Sequence, residues 1–297
     1  MQKPVSFLSE GLKLAGILHL PDDLKPGEQR PAIAVLHGFG GTKNGGVPPI
    51  IANILERLGY ITLRFDMRGC GNSEGEAGRV ICLDQVEDTR SAISFLEGCP
   101  EVANQRIGLL GFSFGAAVAV YTAGVDQRVA ACISAGGWGD GAKKFRKQHA
   151  SPEAWAKFSE MLERGRHELA KGVSIRVPRF DIVPIRPGMR NNLAPESILE
   201  FPFEVVESMF GFCANTVVGQ IAPRPLLLMH PANDTVTPTE QSIDLFMHAG
   251  QPTELHLVAE VDHFMLAENN TVVQAVLKSW LDKYFSVSAA VPTAHAS

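Results

Sequence analysis

The most informative part of the sequence is residues 107–123, which read IGLLGFSFGAAVAVYTA. The apolar run Ile107–Leu110 predicts a short buried strand, and the alanine- and valine-rich run Ala116–Ala123 predicts a buried helix. Between them lies Gly111-Phe112-Ser113-Phe114-Gly115, a Gly-x-Ser-x-Gly motif. When a strand passes into a helix through this motif, the turn is sharp and strained, and it presents the serine hydroxyl clear of the sheet. The motif therefore makes Ser113 the candidate nucleophile.

A second copy of the pattern, Gly71-Asn72-Ser73-Glu74-Gly75, lacks this context. Residues 66–70 separate it from the predicted strand Ile61–Phe65, and no apolar helix follows it. A motif match without its structural context is weak support for a site. We therefore predict that Ser73 is a loop serine without a catalytic role.

Short apolar runs alternate with longer amphipathic stretches on both sides of the first motif. The predicted strands are Leu12–Leu20, Ala32–Leu36, Ile61–Phe65, Ile107–Leu110, Arg128–Ser134, Pro225–His230 and Glu254–Val258. The predicted helices are Pro48–Leu58, Leu83–Leu96, Ala116–Ala123, Glu240–His248 and Val272–Phe285. This alternation is typical of parallel strands joined by crossover helices. We therefore predict an α/β fold with a mainly parallel sheet.

The alternation stops at residues 138–220, where prolines, charged residues and helical segments such as Pro152–Leu169 replace it. We therefore expect an α/β core in two parts, residues 1–137 and 221–285, with a cap inserted at 138–220. Residues 286–297 are low in charge and rich in alanine, serine and valine, and this composition predicts a disordered tail.

The predicted cap carries more basic than acidic residues. Its basic side chains include Lys143, Lys144, Arg146, Lys147, Arg176, Arg179, Arg186 and Arg190. Most surface lysines and arginines are solvated. If one or two of these side chains point inwards, we expect the preferred ester to carry a carboxylate or another anion.

The candidate general base is His263. A serine hydroxyl is too weakly acidic to attack a carbonyl alone, so it needs a base, and a third group must hold that base in the correct tautomer. With this motif the residues follow in the order serine, acid, histidine. His263 lies in the loop between the last predicted strand and the last predicted helix. The other histidines lie in or beside strands, in the predicted cap, late in a helix or in the tail.

The candidate acid is Asp234. It lies in the loop after the predicted strand Pro225–His230, at the carboxyl edge of the sheet, where catalytic groups gather in open α/β folds. Asp262 is the competing acid, but a residue adjacent to His263 in the chain cannot easily face its ring. An alternative role for Asp234 is that of a cap on the helix that follows.

Two backbone N–H groups are the candidate donors to the oxyanion that forms when the serine attacks. Such donors come from the residue after the nucleophile and from the loop after the third strand. In this sequence they are Phe114 and Phe39, the latter within His37-Gly38-Phe39-Gly40-Gly41, whose glycines allow close backbone approach. The spacing of a phosphate-binding loop is absent from this stretch, and no Gly-x-Gly-x-x-Gly occurs in the chain.

The composition excludes several classes of protein. Of the 297 residues, 45% are hydrophobic and 20% are charged, which is typical of a water-soluble globular protein. The net charge of −5 gives no general attraction to nucleic acid or to anionic lipid. No unbroken apolar stretch near the N-terminus is long enough for a signal or membrane helix. We therefore expect a cytoplasmic protein that binds neither nucleic acid nor membrane.

No cofactor or metal ion is expected. The five cysteines contain no Cys-x-x-Cys pair, which favours reduced, buried thiols. No histidine pair at positions i and i+4 accompanies a glutamate, and no cluster of cysteine and histidine occurs. The expected partner is a small-molecule acyl substrate, and a homodimer is compatible with the sequence.

Taken together, the motifs resemble those of the α/β-hydrolase superfamily, and the resemblance extends from about residue 5 to 285. Its matching elements are His37–Gly41, Asp66-Met67-Arg68-Gly69-Cys70-Gly71-Asn72-Ser73, Gly111–Gly115, Asp234 and His263. Within the superfamily the chain looks most similar to bacterial serine esterases related to dienelactone hydrolases and acyl-peptide-type hydrolases. The resemblance implies an eight-stranded, mostly parallel sheet flanked by helices, with a mainly helical cap inserted after strand 6. The inserted sequence matches no substrate class.

The expected activity is hydrolysis of a carboxylic ester through an acyl-enzyme, with Ser113 as nucleophile, His263 as base and Asp234 as acid. The same constellation serves amidases, thioesterases and carbon–carbon bond hydrolases, which are the alternatives. A rival from another class is a non-catalytic, ligand-binding α/β-hydrolase. In such proteins a position of the triad is usually degraded, whereas here all three are filled.

Overall fold

The secondary structure follows the predicted alternation of strands and helices in the computed structural model, which describes residues 1–267 and 270–288. The strands are β1 (Gln2–Ser9), β2 (Leu12–His19), β3 (Arg30–Leu36), β4 (Ile61–Phe65), β5 (Val102–Phe112), β6 (Val129–Ala135), β7 (Arg176–Pro178), β8 (Glu200–Pro202), β9 (Leu226–Pro231) and β10 (Thr253–Val258). The helices are α1 (Val47–Arg57), α2 (Cys82–Glu97), α3 (Phe114–Val125), α4 (Gly141–Gln148), α5 (Pro152–Ala170), α6 (Arg179–Ile182), α7 (Phe203–Gly211), α8 (Glu240–His248) and α9 (Thr271–Tyr284). Short 3₁₀ helices span Pro187–Asn192, Ala214–Thr216 and Val218–Ile221.

Eight of these strands form one sheet in the order β1-β2-β4-β3-β5-β6-β9-β10 within the described ranges. Strand β2 is antiparallel to both β1 and β4, and all other neighbours are parallel. The predicted eight-stranded, mostly parallel sheet flanked by helices is therefore confirmed. The parallel strands place their carboxyl ends at a common edge, where the loops that carry the candidate residues meet.

The central strands are buried on both faces, which explains their continuous apolar runs. Along β3, Ala32, Ala34 and Leu36 join one hydrophobic cluster, whereas Ile33 and Val35 join another. Helices α2, α3 and α8 contribute to the first cluster, and α1 and α9 contribute to the second. The helices therefore cover both faces of the sheet, as the crossover pattern predicts.

Strand β1 was not among the predicted strands. Its sequence, QKPVSFLS, contains a proline and leaves most of its residues exposed or half-buried. It pairs only with β2, at the edge of the sheet, where a strand has one free side and proline is tolerated. An edge strand lacks the apolar run that reveals a central strand, because only one of its faces packs on the core.

The segment between β6 and β9 contains helices α4 to α7 and the antiparallel pair β7–β8. Its residues Val177, Phe201 and Phe203 belong to the same hydrophobic cluster as Phe39, in the loop after β3, and Phe114, the first residue of α3. We call residues 138–220 the insertion. The division into two core parts and a cap remains a prediction, and the predicted tail lies outside the described residues except for residues 286–288.

Among the described helices, none combines the length and the apolar character that crossing a bilayer requires. The expectation that the protein binds neither membrane nor nucleic acid is not tested by this finding.

Lys144, on α4 of the insertion, is buried with 1% of its surface exposed. Its Nζ lies 3.9 Å from the ring centre of Phe145 and 4.6 Å from that of Trp138. No hydrogen-bond acceptor for this Nζ exists in the described part of the chain. Burial lowers the pKa of Lys144 to about 7. The aromatic faces offset only part of the cost of burying an ammonium group.

Replacing Lys144 by methionine is expected to increase the free energy of unfolding at pH 6 by on the order of 2 kcal/mol, because the unpaired charge is removed. Between pH 7 and the ordinary lysine pKa of 10.5, the unfolded wild type binds more protons than the folded state. Wild-type stability therefore rises with pH over this window, and the variant lacks this rise. Urea unfolding at pH 6 and pH 9 measures both effects. A variant less stable than the wild type at both values would contradict the prediction.

Candidate active site

Ser113 occupies a strained turn between β5 and α3. Its backbone has φ 54° and ψ −116°, a conformation that costs a non-glycine residue about 1–3 kcal/mol. The flanking residues must be glycines because neither position has room for a Cβ atom. A Cβ on Gly111 would overlap the carbonyl oxygen of Gly115, and a Cβ on Gly115 would lie 2.5 Å from the carbonyl oxygen of His37. The motif therefore holds the serine where the sheet meets the N-terminus of α3.

The structure brings Ser113, His263 and Asp234 together in one hydrogen-bonded chain. His263 Nε2 lies 2.9 Å from Ser113 Oγ, and His263 Nδ1 lies 2.8 Å from Asp234 Oδ2. The carboxylate can only accept, so Nδ1 carries the hydrogen in the neutral ring. Nε2 is then free to accept the serine proton. This is the arrangement by which an acid fixes the tautomer of a general base.

Asp234 is buried and uses both carboxylate oxygens. Oδ1 accepts from the backbone N–H groups of Val236 and Thr237, at 2.7 and 2.8 Å. Burial alone would raise the pKa of Asp234, but the charges and hydrogen bonds of His263 and His230 hold it below its usual value. The carboxylate thus stays ionised at neutral pH. Asp234 stabilises its own loop with one oxygen and orients His263 with the other. It does not cap the next helix, because α8 begins at Glu240 and Thr239 is its N-cap residue.

Asp262, the competing acid, does not face the imidazole ring of its neighbour. Its Oδ1 accepts from the backbone N–H of His263 at 2.7 Å and from the backbone N–H of Thr235 at 2.9 Å. The hydroxyl of Thr235 donates to the same carboxylate. Asp262 therefore ties the loop of the histidine to the loop of the acid.

The loop His37–Gly41, which we call the oxyanion loop, lies against the nucleophile. A Cβ on Gly38 would lie 3.7 Å from Cβ of Ser113, so the two backbones are close. The N–H groups of Phe39 and Phe114 donate no hydrogen bond within residues 1–267 and 270–288. Two free donors beside a serine hydroxyl are what an oxyanion hole requires.

Ser73 lies in a different environment. Its Oγ donates to the carbonyl oxygen of Asp66 at 2.5 Å and accepts from the backbone N–H of Ala15 at 2.9 Å. The Asp66 carboxylate accepts from the backbone N–H of Lys43, at 2.6 Å, and also from its ammonium group. The hydroxyl of Ser73 is therefore occupied in fixing the loop after β4.

An apolar cavity of about 60 Å³ opens beside Ser113 and His263. Strand β5 supplies Phe112, the loops of the sheet supply Phe39 and Phe264, and the insertion supplies Val183, Ile185 and Leu193. One water needs about 10–15 Å³, so the cavity has room for about four to six groups of that size. The insertion therefore forms part of the apolar wall beside the serine.

The sequence assigned no role to His230 at this site, and it marked Arg179 only as one of eight basic side chains of the cap that could point inwards. His230 is buried, with Nε2 3.3 Å from Asp234 Oδ2, and its Nδ1 lies 2.7 Å from Ser242 Oγ. Arg179 also lines the cavity, with 4% of its surface exposed. His230 could have been noticed from its place at the end of a buried strand. Arg179 carried no signal that distinguished it from the other arginines of the insertion.

Within the described ranges, no group of three or more His, Cys, Asp or Glu side chains is arranged to hold a metal ion. The free cysteines described are Cys70, Cys82, Cys99, Cys132 and Cys213, three of which are buried. Burial raises the pKa of the Cys82 thiol to about 12, so that thiol stays protonated at neutral pH.

Comparison with known proteins agrees with this architecture. The family model described as "alpha/beta hydrolase fold" matches residues 31–164. An uncharacterised 31.7 kDa protein from the traX–finO intergenic region of Escherichia coli is 29% identical over 286 residues, covering 93% of this chain and 97% of that protein. The polyketide transferase grgF of a Penicillium species is 28% identical over 289 residues, covering 92% of each chain. The thiohydrolase aneE of Aspergillus aculeatus is 27% identical over 282 residues, covering 87% and 85%.

Two solved structures are similar to this chain over 96% of its length. The crystal structure of GrgF from the Penicillium species aligns with a TM-score of 0.76 and 22% identity, covering 96% of this chain and 99% of that one. The esterase domain of a Rhodothermus marinus protein aligns with a TM-score of 0.62 and 24% identity, covering 96% and 99%. At these identities the similarity concerns the fold. The narrower resemblance to dienelactone hydrolases and acyl-peptide-type hydrolases remains a prediction.

The rate of ester hydrolysis is expected to fall as the solution is acidified, because His263 must be neutral to accept the serine proton. Asp234 does not limit the rate over the same range, since its lowered pKa keeps it ionised. The pH profile of kcat/KM for a neutral ester measures this fall. If the acidic limb persisted unchanged in the residual activity of His263→Ala, the assignment of His263 as the base would be wrong.

Proposed function

We propose that this chain, an α/β-hydrolase-fold protein, is a serine hydrolase that cleaves a carboxylic ester through an acyl-enzyme intermediate. The observation that carries the proposal is the hydrogen-bonded chain from Ser113 Oγ through His263 to Asp234, with distances of 2.9 and 2.8 Å. A nucleophile, a base and an orienting acid at these distances are sufficient for acyl transfer.

In the proposed reaction Ser113 Oγ attacks the ester carbonyl while His263 Nε2 takes its proton. The carbonyl oxygen becomes negatively charged, and the N–H groups of Phe39 and Phe114 stabilise it. When the tetrahedral intermediate collapses, the bond to the alcohol oxygen breaks, and His263 returns the proton to the leaving alcohol. A water molecule then attacks the acyl-enzyme by the same steps, which releases the carboxylic acid and restores Ser113.

The cavity beside Ser113 supports a small, apolar acyl or alcohol group. Its volume of about 60 Å³ suits a group of about four to six non-hydrogen atoms. We therefore expect p-nitrophenyl acetate and butyrate to be hydrolysed with higher kcat/KM than the octanoate and longer esters.

A second candidate is cleavage of a thioester, or transfer of its acyl group to an acceptor other than water. The names of two relatives favour it, because one is a thiohydrolase and the other is a polyketide transferase. The acyl-enzyme would be the same, and only the leaving thiol or the attacking acceptor would differ. Amidase and carbon–carbon hydrolase activities use the same triad and remain alternatives.

The test compares matched substrates on the purified protein. Butyryl p-nitrophenyl ester, the butyryl thioester of N-acetylcysteamine, a butyryl aryl amide and a vinylogous diketone are assayed together, with and without an added alcohol acceptor. The proposal predicts the highest kcat/KM for the oxygen ester, with water as acceptor. A higher value for the thioester, or a butyrylated alcohol as main product, would favour the second candidate.

A fluorophosphonate probe tests the class of protein independently of the substrate. A serine hydrolase forms a covalent adduct on its nucleophile. Intact wild-type protein that stayed unlabelled would instead favour the non-catalytic, ligand-binding alternative.

A further inference from the structure

Arg179, the first residue of α6 in the insertion, reaches the oxyanion loop. Its Nη2 donates to the carbonyl oxygen of Phe39 at 2.6 Å, and its Nη1 donates to the carbonyl oxygen of Ile198 at 2.9 Å. The side chain is almost fully buried. A residue 140 positions away in the chain therefore fixes the peptide group that follows Phe39.

The insertion also holds the side chain of Phe39 and the residue after it. The guanidinium of Arg179 lies 5.3 Å from the ring centre of Phe39, and the ring of Phe201 stacks on the Phe39 ring with 4.1 Å between the centres. The backbone N–H of Ile198 donates to the carbonyl oxygen of Gly40 at 3.0 Å. Gly40 has φ +53°, and a Cβ there would lie 2.5 Å from Phe201. The orientation of the Phe39 N–H is thus restrained through its side chain and through the two peptide groups after it.

The positive charge of Arg179 has no carboxylate counterion among the described residues. The guanidinium forms no ion pair with a carboxylate in residues 1–267 or 270–288, and its buried Nε has no acceptor there. Burial lowers the pKa of Arg179 to about 10, which still leaves the guanidinium protonated at neutral pH. A lone buried cation is costly, and a neutral side chain could hold two carbonyl oxygens at lower cost. The charge is most useful where negative charge appears only during reaction, as it does on the substrate oxygen beside Phe39.

We propose that Arg179 is a positioning residue of the oxyanion hole, which acts through Phe39 to aim its N–H and which places an uncompensated positive charge beside the developing oxyanion. The inference rests on the proposed serine hydrolase function. It means that the insertion, besides lining the cavity, completes the catalytic apparatus of the sheet.

The test compares Arg179→Met, Arg179→Lys and the control Arg166→Met on a neutral ester. Arg166 is an exposed arginine of the insertion that pairs with Glu207 on the protein surface. Removing one oxyanion-stabilising interaction lowers kcat by about 10²–10³-fold. We expect a loss of that size for Arg179→Met with KM changed less than about threefold, a smaller loss of at least about tenfold for Arg179→Lys, and wild-type kinetics for Arg166→Met. Lysine keeps the charge, but its single ammonium group cannot reproduce the planar guanidinium that donates to the carbonyl oxygens of both Phe39 and Ile198.

A trifluoromethyl ketone supplies a second readout, because it forms an anionic tetrahedral adduct with a catalytic serine. Its inhibition constant should rise in Arg179→Met by the same factor by which kcat falls. A smaller amount of folded protein would lower the measured rate but would not change the inhibition constant. Wild-type kcat in a folded Arg179→Lys variant would overturn the proposal, even if Arg179→Met fails to fold. So would a rise in KM confined to anionic esters, which would assign Arg179 to a substrate carboxylate. If the wild type neither turns over esters nor reacts with a fluorophosphonate, the proposed function and this inference fail together.

Discussion

Replacement of Ser113 by alanine is expected to lower kcat for ester hydrolysis by about 10⁶-fold and to abolish labelling by a fluorophosphonate. Alanine has no oxygen to attack the carbonyl, so no acyl-enzyme can form. The residual rate then comes only from substrate binding and from the oxyanion donors, which in known serine hydrolases give a rate about 10³–10⁴-fold above the uncatalysed reaction.

Ser73→Ala is the matched control, since Ser73 occupies the same Gly-x-Ser-x-Gly pattern. We expect unchanged labelling and kcat, because the Ser73 hydroxyl bonds Asp66 and Ala15 and not a histidine. Loss of these two bonds should cost about 1–3 kcal/mol of folding stability. Labelling of both variants followed by peptide mass spectrometry decides between the serines. Phosphonate on the Ser73 peptide, or full labelling of Ser113→Ala, would refute the assignment of the nucleophile.

The second large effect is expected for Asp234→Asn, which should lower kcat by about 10⁴-fold without a comparable change in KM. The asparagine oxygen can keep the bonds to Val236 and Thr237, which leaves the amide NH₂ facing His263 Nδ1. Nδ1 must then accept a hydrogen bond, so the ring hydrogen moves to Nε2. In that tautomer His263 can no longer accept the proton of Ser113.

Asp262→Asn is the control for this prediction. Asp262 binds the backbone of His263 and the backbone and hydroxyl of Thr235, and it does not contact the imidazole ring. We expect a loss of less than about tenfold in kcat, from looser positioning of the two loops. Steady-state kinetics of both variants on one ester gives the comparison. A larger loss in Asp262→Asn than in Asp234→Asn would reverse the assignment of the acid.

Much of the architecture could be predicted from the sequence, for reasons that individual residues make clear. The central strands are buried on both faces, so they appear as apolar runs such as Ile107–Leu110. The turn at Ser113 is visible because no Cβ fits at Gly111 or Gly115. The order of serine, acid and histidine along the chain then pointed to Asp234 and His263, which the structure brings to hydrogen-bond distance of each other.

The remaining features depend on contacts between distant parts of the chain. Arg179 and Phe39 are 140 positions apart, and nothing in the local sequence of either residue marks the contact. The place of His230 at the end of a buried strand is visible in the sequence, but its contact with Asp234 is not, because that contact depends on how the loop after β9 folds back. Strand β1 was missed because an edge strand needs no apolar run.

The contacts from the insertion to residues 39 and 40 have a consequence for how such a protein can diversify. In a modular enzyme, a surface segment that shapes the pocket can be exchanged by recombination without disturbing the reaction centre. Here the exchange of residues 176–202 for a homologous segment would also remove Arg179, Ile198 and Phe201 from Phe39 and Gly40. New substrate ranges are therefore more accessible through point changes at Val183, Ile185 or Leu193, which line the cavity without bonding the oxyanion loop. We expect a chimera with another segment at residues 176–202 to have a changed substrate preference but a lower kcat.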